Sequence, residues 1–299
     1  MCLGCIGCKE PRELSELHLV QEHLQHNRFI LTGYRTVGSY KESLPTLFSL
    51  SNETGNIWSH LIATLIFFAL PFHLASFANE NNLSFSTELF MNPFDTISDV
   101  GPDVKATLPI FPWIIFFLSV ITAFSTSAAY HLFNCISYEH YLYWMRMDLI
   151  GVTTGICGSA FTGLYFSFKC HPYIQQIYLY SIAIFFLYAL YLQQSPHFIS
   201  ERYTTRRLIL YGFLMGFGLV PSIHWTIISP PRFFLIIISF LFFSFLFFLF
   251  TNFLFSIHLF YFIYSVVSLF GWRVAIFYVF VAVASFFFVT KFPEKLFPG

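Results

Sequence analysis

Ser127 and His131 stand four residues apart near the end of an apolar run, and Asp148 follows seventeen residues later at the start of the next. On a helix, residues four apart share a face. A short connection between two membrane-crossing helices returns the chain to the same surface, so Ser127, His131 and Asp148 can converge at one depth. That trio suits a metal-bound water, with the imidazole as ligand and the carboxylate to orient or deprotonate the water. A plainer reading has His131 bonded to a neighbouring carbonyl and Asp148 capping the next helix. On these residues alone the plainer reading stands first.

Other polar residues carry less. His60 and His224 sit near the ends of apolar runs, where an imidazole more often bonds backbone or water than metal. His73 and His258 lie within apolar runs without an acidic neighbour, which reads as structural. His18, His23 and His26 fit a solvated helix face. Cys2, Cys5 and Cys8 have no second Cys or His pair at a finger-like distance, so they read as S-acylation sites beside a membrane rather than zinc ligands. The remaining cysteines, Cys135, Cys157 and Cys170, are too sparse for a disulfide framework.

The elements that must position these groups are membrane helices. Over 299 residues, 57% are hydrophobic, 22% aromatic and only 10% charged, far from the roughly 25% charged of a soluble domain. With 15 basic and 15 acidic residues there is no positive surplus for a phosphate backbone, which argues against nucleic-acid binding. Residues 1–56 carry charges throughout and show no apolar leader, so they read as a polar N-terminal segment. Within it Leu14, Leu17, Val20 and Leu24 recur at helical spacing, predicting a short amphipathic helix on the membrane surface.

A bilayer core about 30 Å thick needs about 20 apolar residues per helix. Such runs fall near 57–77, 108–133, 149–168, 174–193 and 208–228, with a sixth at 274–290. Between the last two lies Phe233 to Tyr264, where 13 of 32 residues are Phe. No charge occurs from Phe233 through Trp272, and 40 helical residues would extend about 60 Å, twice what one straight span needs. With the N-terminus inside, eleven Lys and Arg fall on the cytoplasmic side and four opposite, if the Phe-rich stretch crosses twice or not at all. Of the sequons, Asn52-Glu53-Thr54 and Asn82-Leu83-Ser84, only Asn82 would then be glycosylated.

Taken in order, Gly33-Tyr34-Arg35, Ser51-Asn52-Glu53-Thr54-Gly55-Asn56-Ile57-Trp58-Ser59-His60-Leu61, Ser127 to His131, Asp148, Val220-Pro221-Ser222-Ile223-His224-Trp225 and Pro293 to Gly299 resemble the progestin and adipoQ receptor family. The Tyr130 to Phe133 and Pro-x-x-His-Trp versions stand nearest to the member that traps Raf kinase at the Golgi. The resemblance implies an all-α, polytopic bundle of the seven-helix type with a cytoplasmic N-terminus, and Golgi rather than plasma membrane. It also implies a zinc ion held by one histidine at the end of the second helix and two in an HxxxH opening the seventh. His131 matches the first ligand, Asp148 the acid that positions the metal-bound water, and Ser127 its hydrogen-bonding neighbour.

Two departures set the expectations. No HxxxH occurs in the sequence, which stops at Phe297-Pro298-Gly299 where the family continues to its seventh helix, and the Phe-rich run has no family counterpart. The domain reading is an N-terminal segment (1–56), five spans (57–228), a Phe-rich insert of retained-intron character (229–270), and the sixth family helix with a truncated end (271–299). Three functions are expected to compete. The first is a signalling receptor that anchors a cytosolic kinase through its N-terminal segment and the basic loop Arg202 to Arg207. The second is a zinc-dependent amide hydrolase of a membrane lipid such as ceramide, in a longer form carrying the HxxxH. The third is a non-functional truncated product. With one histidine and one carboxylate, the chain as written is expected to hydrolyse nothing.

Overall fold

The computed structural model describes residues 14–25, 27–80, 84–86, 107–199 and 203–228, with 295 standing alone beyond them. Its long helices are α2 (Thr54–Glu80), α3 (Phe111–Phe133), α4 (Tyr138–Ser167), α5 (Pro172–Gln194) and α7 (Thr204–Phe217), the last continued past Gly218 by α8 (Leu219–Ile228). Short helices α1 (Tyr40–Ser43) and α6 (Pro196–Ile199) precede α2 and α7. Among the described residues five helical spans are long and apolar enough to cross a membrane. Between α2 and α3 a short parallel pair, β1 (Ser84–Ser86) with β2 (Thr107–Pro109), joins the helices.

Outward faces of these helices are apolar, as lipid requires. On α5, Tyr173, Ile177, Tyr180, Ile184, Leu187 and Tyr191 recur at three or four residues and are all exposed. The inward faces make two cores. Phe67 of α2 packs with Trp113, Phe116, Phe117 and Val120 of α3, while Leu164, Tyr165, Leu179, Ile182 and Leu210 join α4, α5 and α7.

The α3–α4 contact works differently. Gly151, Gly155 and Gly158 of α4 lie against α3, where a Cβ on Gly151 would strike Thr126, one on Gly155 would come within 2.9 Å of Ala123, and one on Gly158 would strike Ser119. Small residues let the two backbones approach closely, the usual route to helix association where lipid removes the hydrophobic drive. This contact fixes Ser127 and His131 on α3 against Asp148 on α4.

Three sequence expectations change. The third span starts at Tyr138 rather than near 149, because Ser137 caps it by accepting from the His140 N–H at 3.3 Å, and Glu139 favours the N-terminal end of the dipole. Glu139, Arg146 and Asp148 interrupt the apolar run without interrupting the helix, so Asp148 lies in its third turn and caps nothing. The amphipathic helix expected around Leu14 to Leu24 is instead two single 3-10 turns, Leu17–Leu19 and Glu22–Leu24. An antiparallel bridge between Ser15 and Tyr34 holds that segment extended, and Val20 and Leu24 are buried with Tyr34, Val37, Cys135 and Ile136. Finally, His23 is buried rather than solvated, its Nε2 3.3 Å from the Asn134 carbonyl and its ring beside Tyr138 and Tyr141.

The Phe-rich run, the 274–290 run, Cys2, Cys5, Cys8, Asn82, His26 and His258 lie outside the described residues. Cys135, Cys157 and Cys170 are free thiols.

Candidate functional site

The site forms where the N-terminal segment meets the end of α3. Gly33 adopts φ +89, a backbone open to glycine, and so lets the Gly-Tyr-Arg turn bring its carbonyl to the Asn52 N–H at 2.9 Å. Arg35 then reaches the C-terminal end of α3. Its guanidinium donates to the carbonyls of His131 at 2.6 Å and Leu132 at 3.1 Å and to the Thr46 hydroxyl at 2.9 Å. The Ser43 hydroxyl also donates to Leu132 O, at 2.6 Å. A buried cation there satisfies orphan carbonyls and complements the helix dipole. The N-terminal segment thus forms a collar, with side chains that complete α3.

Glu53 lies at the centre. Its Oε2 is 2.9 Å from His131 Nδ1 and accepts from Asn56 Nδ2 at 2.8 Å, while Oε1 accepts from Asn134 Nδ2 at 3.1 Å. Burial alone would raise the Glu53 carboxyl, but the hydrogen bond and Coulombic attraction of His131, with the bonds from Asn56 and Asn134, outweigh it and hold the group at about 2. An ionised carboxylate only accepts, so His131 carries a proton on Nδ1.

Ser127, His131 and Asp148 come together as their spacing implied. The Ser127 hydroxyl lies near the Asp148 carboxylate, and His131 is close enough to Asp148 to attract it. His60 joins them, its ring edge-on to His131 with centroids 5.6 Å apart and edge-on to Phe124 at 5.8 Å. His60 Nδ1 and Asp148 Oδ1 are both buried without a hydrogen-bond partner among the described residues. Such orphaned atoms at membrane depth are costly and mark a place where a polar group is wanted.

Sequence reasoning passed over two members of this cluster. Glu53 appeared only within a sequon and a motif, although an acidic residue at the edge of a span is itself a signal. His60 reads from its place near a span end as more often bonded to backbone or water than to metal, and its Nδ1 has no bond to backbone among the described residues. His224, at the far side of the bundle, pairs with the Tyr178 hydroxyl at 2.8 Å. Arg207, at the end of the basic loop Arg202 to Arg207, is buried and donates to the carbonyls of Phe198 and Ile199. Arg206 is exposed and lies over the Tyr203 ring at 4.5 Å.

The donors among the described residues do not make a zinc site. A catalytic zinc takes three protein ligands and a water, and among the described residues no three His, Cys, Asp or Glu side chains are placed to hold a metal ion.

Fold and site together define a polytopic helical membrane protein with a buried polar cluster at one end and a collar closing over it. The model of haemolysin-III related proteins matches residues 48–261, more than two thirds of the chain, and the chain belongs to this family. Its similarity to curated proteins runs in the same direction. It is 27% identical over 288 residues to mouse (Mus musculus) "Progestin and adipoQ receptor family member 3", covering 92% of this chain and 73% of that one. It is 28% identical over 228 residues to "Heptahelical transmembrane protein 3" of Arabidopsis thaliana, covering 71% of this chain and 66% of that one. With rice (Oryza sativa subsp. japonica) "Heptahelical transmembrane protein ADIPOR1" the identity is 29% over 247 residues, 72% and 65% of the two chains. The motif resemblance to the progestin and adipoQ receptor family stands, and so does the integral membrane architecture.

Proposed function

We propose that this chain is a signalling membrane protein whose N-terminal collar faces the cytosol and recruits a soluble partner, with Raf kinase at Golgi membranes as the specific expectation. The observation that carries the reading is the collar itself. Residues 14–52 are pinned to α3 by Arg35, Ser43 and His23 through buried bonds, so a partner bound there would be held against the bundle rather than on a loose tail. The surplus of Lys and Arg on the N-terminal side supports a cytosolic collar. Similarity to a protein named as a receptor supports a signalling role.

The basic loop contributes less than its sequence suggests, because Arg207 is spent on α6. Exposed collar residues such as Leu19 and Leu31 are the better contact candidates. The test images tagged Raf kinase in cells expressing the full chain or its Leu19→Glu, Leu31→Glu double variant. Raf kinase relocating to Golgi membranes with the full chain, and staying cytosolic with the variant at equal membrane insertion, is the expected result. A Raf kinase distribution unchanged by the full chain would overturn the reading.

A further inference from the structure

The segment from Leu44 to Leu50 is divided between two environments. One side is fastened to the protein: Ser43 bonds Leu132 O, Thr46 accepts from Arg35, and the Trp58 indole N–H donates to Leu47 O at 2.9 Å. The other side turns Leu44, Phe48 and Leu50 outward, Phe48 and Leu50 at 82% and 81% exposure. Three large apolar groups so close together, beside a helix that enters a bilayer, call for an apolar neighbour.

Helix α2 indicates which neighbour. At 27 residues it is about 40 Å long against a hydrocarbon core of about 30 Å, so its first turn lies at headgroup depth. Trp58 in that region has the amphipathic character of an interfacial anchor. It shares a helix face with Ile62, Leu65 and Phe72, all exposed, which form the lipid face of α2. The Phe48 ring lies 6.1 Å from the Trp58 ring, so the apolar side of Leu44–Leu50 continues that lipid face past the start of the helix.

We infer that Leu44, Phe48 and Leu50 form a membrane-surface foot, inserted among the lipids of the leaflet on the N-terminal side and anchoring the collar to the bilayer. The surface-lying element expected near Leu14 to Leu24 is therefore displaced along the chain, since Val20 and Leu24 are taken up by the protein and Phe48 and Leu50 are not. The foot goes beyond partner recruitment and requires only that the chain spans a membrane. It also explains how a collar attached to α3 by a few side chains keeps its height above the polar cluster.

The test is site-directed spin labelling of the full chain in liposomes, with Cys2, Cys5, Cys8 and Cys170 replaced by Ser and the buried Cys135 and Cys157 kept. A label at Phe48→Cys is compared with one at Phe72→Cys, on the lipid face of α2, and one at Glu42→Cys, exposed on α1. The ratio of oxygen to water-soluble nickel-chelate accessibility at position 48 should lie well above that at 42 and approach that at 72. Leu50→Cys repeats the measurement should the first variant fail to insert. A ratio like that at position 42 would place the foot in water. Low accessibility to both reagents would mean that another part of the chain covers it, and either result would overturn the inference.

Discussion

The two ends of the bundle solve the same problem in different ways. At the collar end, ionic and polar groups are brought inside and many are satisfied by one another, Glu53 by His131, Asn56 and Asn134, and the α3 carbonyls by Arg35 and Ser43, while His60 Nδ1 and Asp148 Oδ1 are left without a partner among the described residues. At the opposite end, where α4 passes to α5, Phe168, Leu179 and Ile182 fill the space. The polar bonds there include Tyr178 to His224 and Gln175 to the Tyr165 carbonyl, with no carboxylate in either. A buried ion pair makes little net contribution when complete and costs a great deal when broken. The collar end is therefore the sensitive one, and the far end should tolerate change.

The sharpest way to break this contrast is Glu53→Leu. It strands His131, Asn56 and Asn134 without their acceptor, and should cost about 3–5 kcal/mol, the range for removing one partner of a buried pair. Size-exclusion thermostability in detergent should show most of the protein lost from the monodisperse peak, while unchanged stability would mean that Glu53 is not paired as described. Gly158→Ala follows, since the added methyl meets Ser119 and the α3–α4 contact must open; about 1–3 kcal/mol is expected by the same assay.

Arg35→Gln should cost about 1.5–3 kcal/mol through the α3 carbonyls it leaves behind. It should also loosen the collar over Cys135, whose buried thiol is pushed up by burial and should therefore react slowly in the intact protein. Faster maleimide labelling of Cys135, with Cys2, Cys5, Cys8 and Cys170 replaced by Ser, is the expected readout. The smallest effect belongs to the far end. Tyr178→Phe removes one hydrogen bond and should cost about 0.5–1.5 kcal/mol, and a larger loss there than for Arg35→Gln would reverse the comparison.

The spans were legible because the bilayer imposes a length and a composition that survive any detail of packing. So was the meeting of Ser127, His131 and Asp148, since helical spacing and a short turn dictate it. The start of α4 was hidden because an N-cap at Ser137 overrides three charged residues that look like a boundary. The collar was hidden for another reason: the Ser15–Tyr34 bridge and the burial of His23 depend on partners far along the chain, and leave no period to read. Glu53 and His131 are 78 residues apart, so nothing local announces the pair.

The central claim is that Glu53 accepts a proton-bearing Nδ1 from His131 and so joins the collar's edge to α3. Nitrogen NMR of histidine-labelled protein, with the His131 signal identified by its loss in His131→Asn, tests it directly. The account predicts a protonated Nδ1 on His131 that becomes unprotonated or exchanges in Glu53→Leu. An unprotonated Nδ1 in the unmodified protein would contradict it.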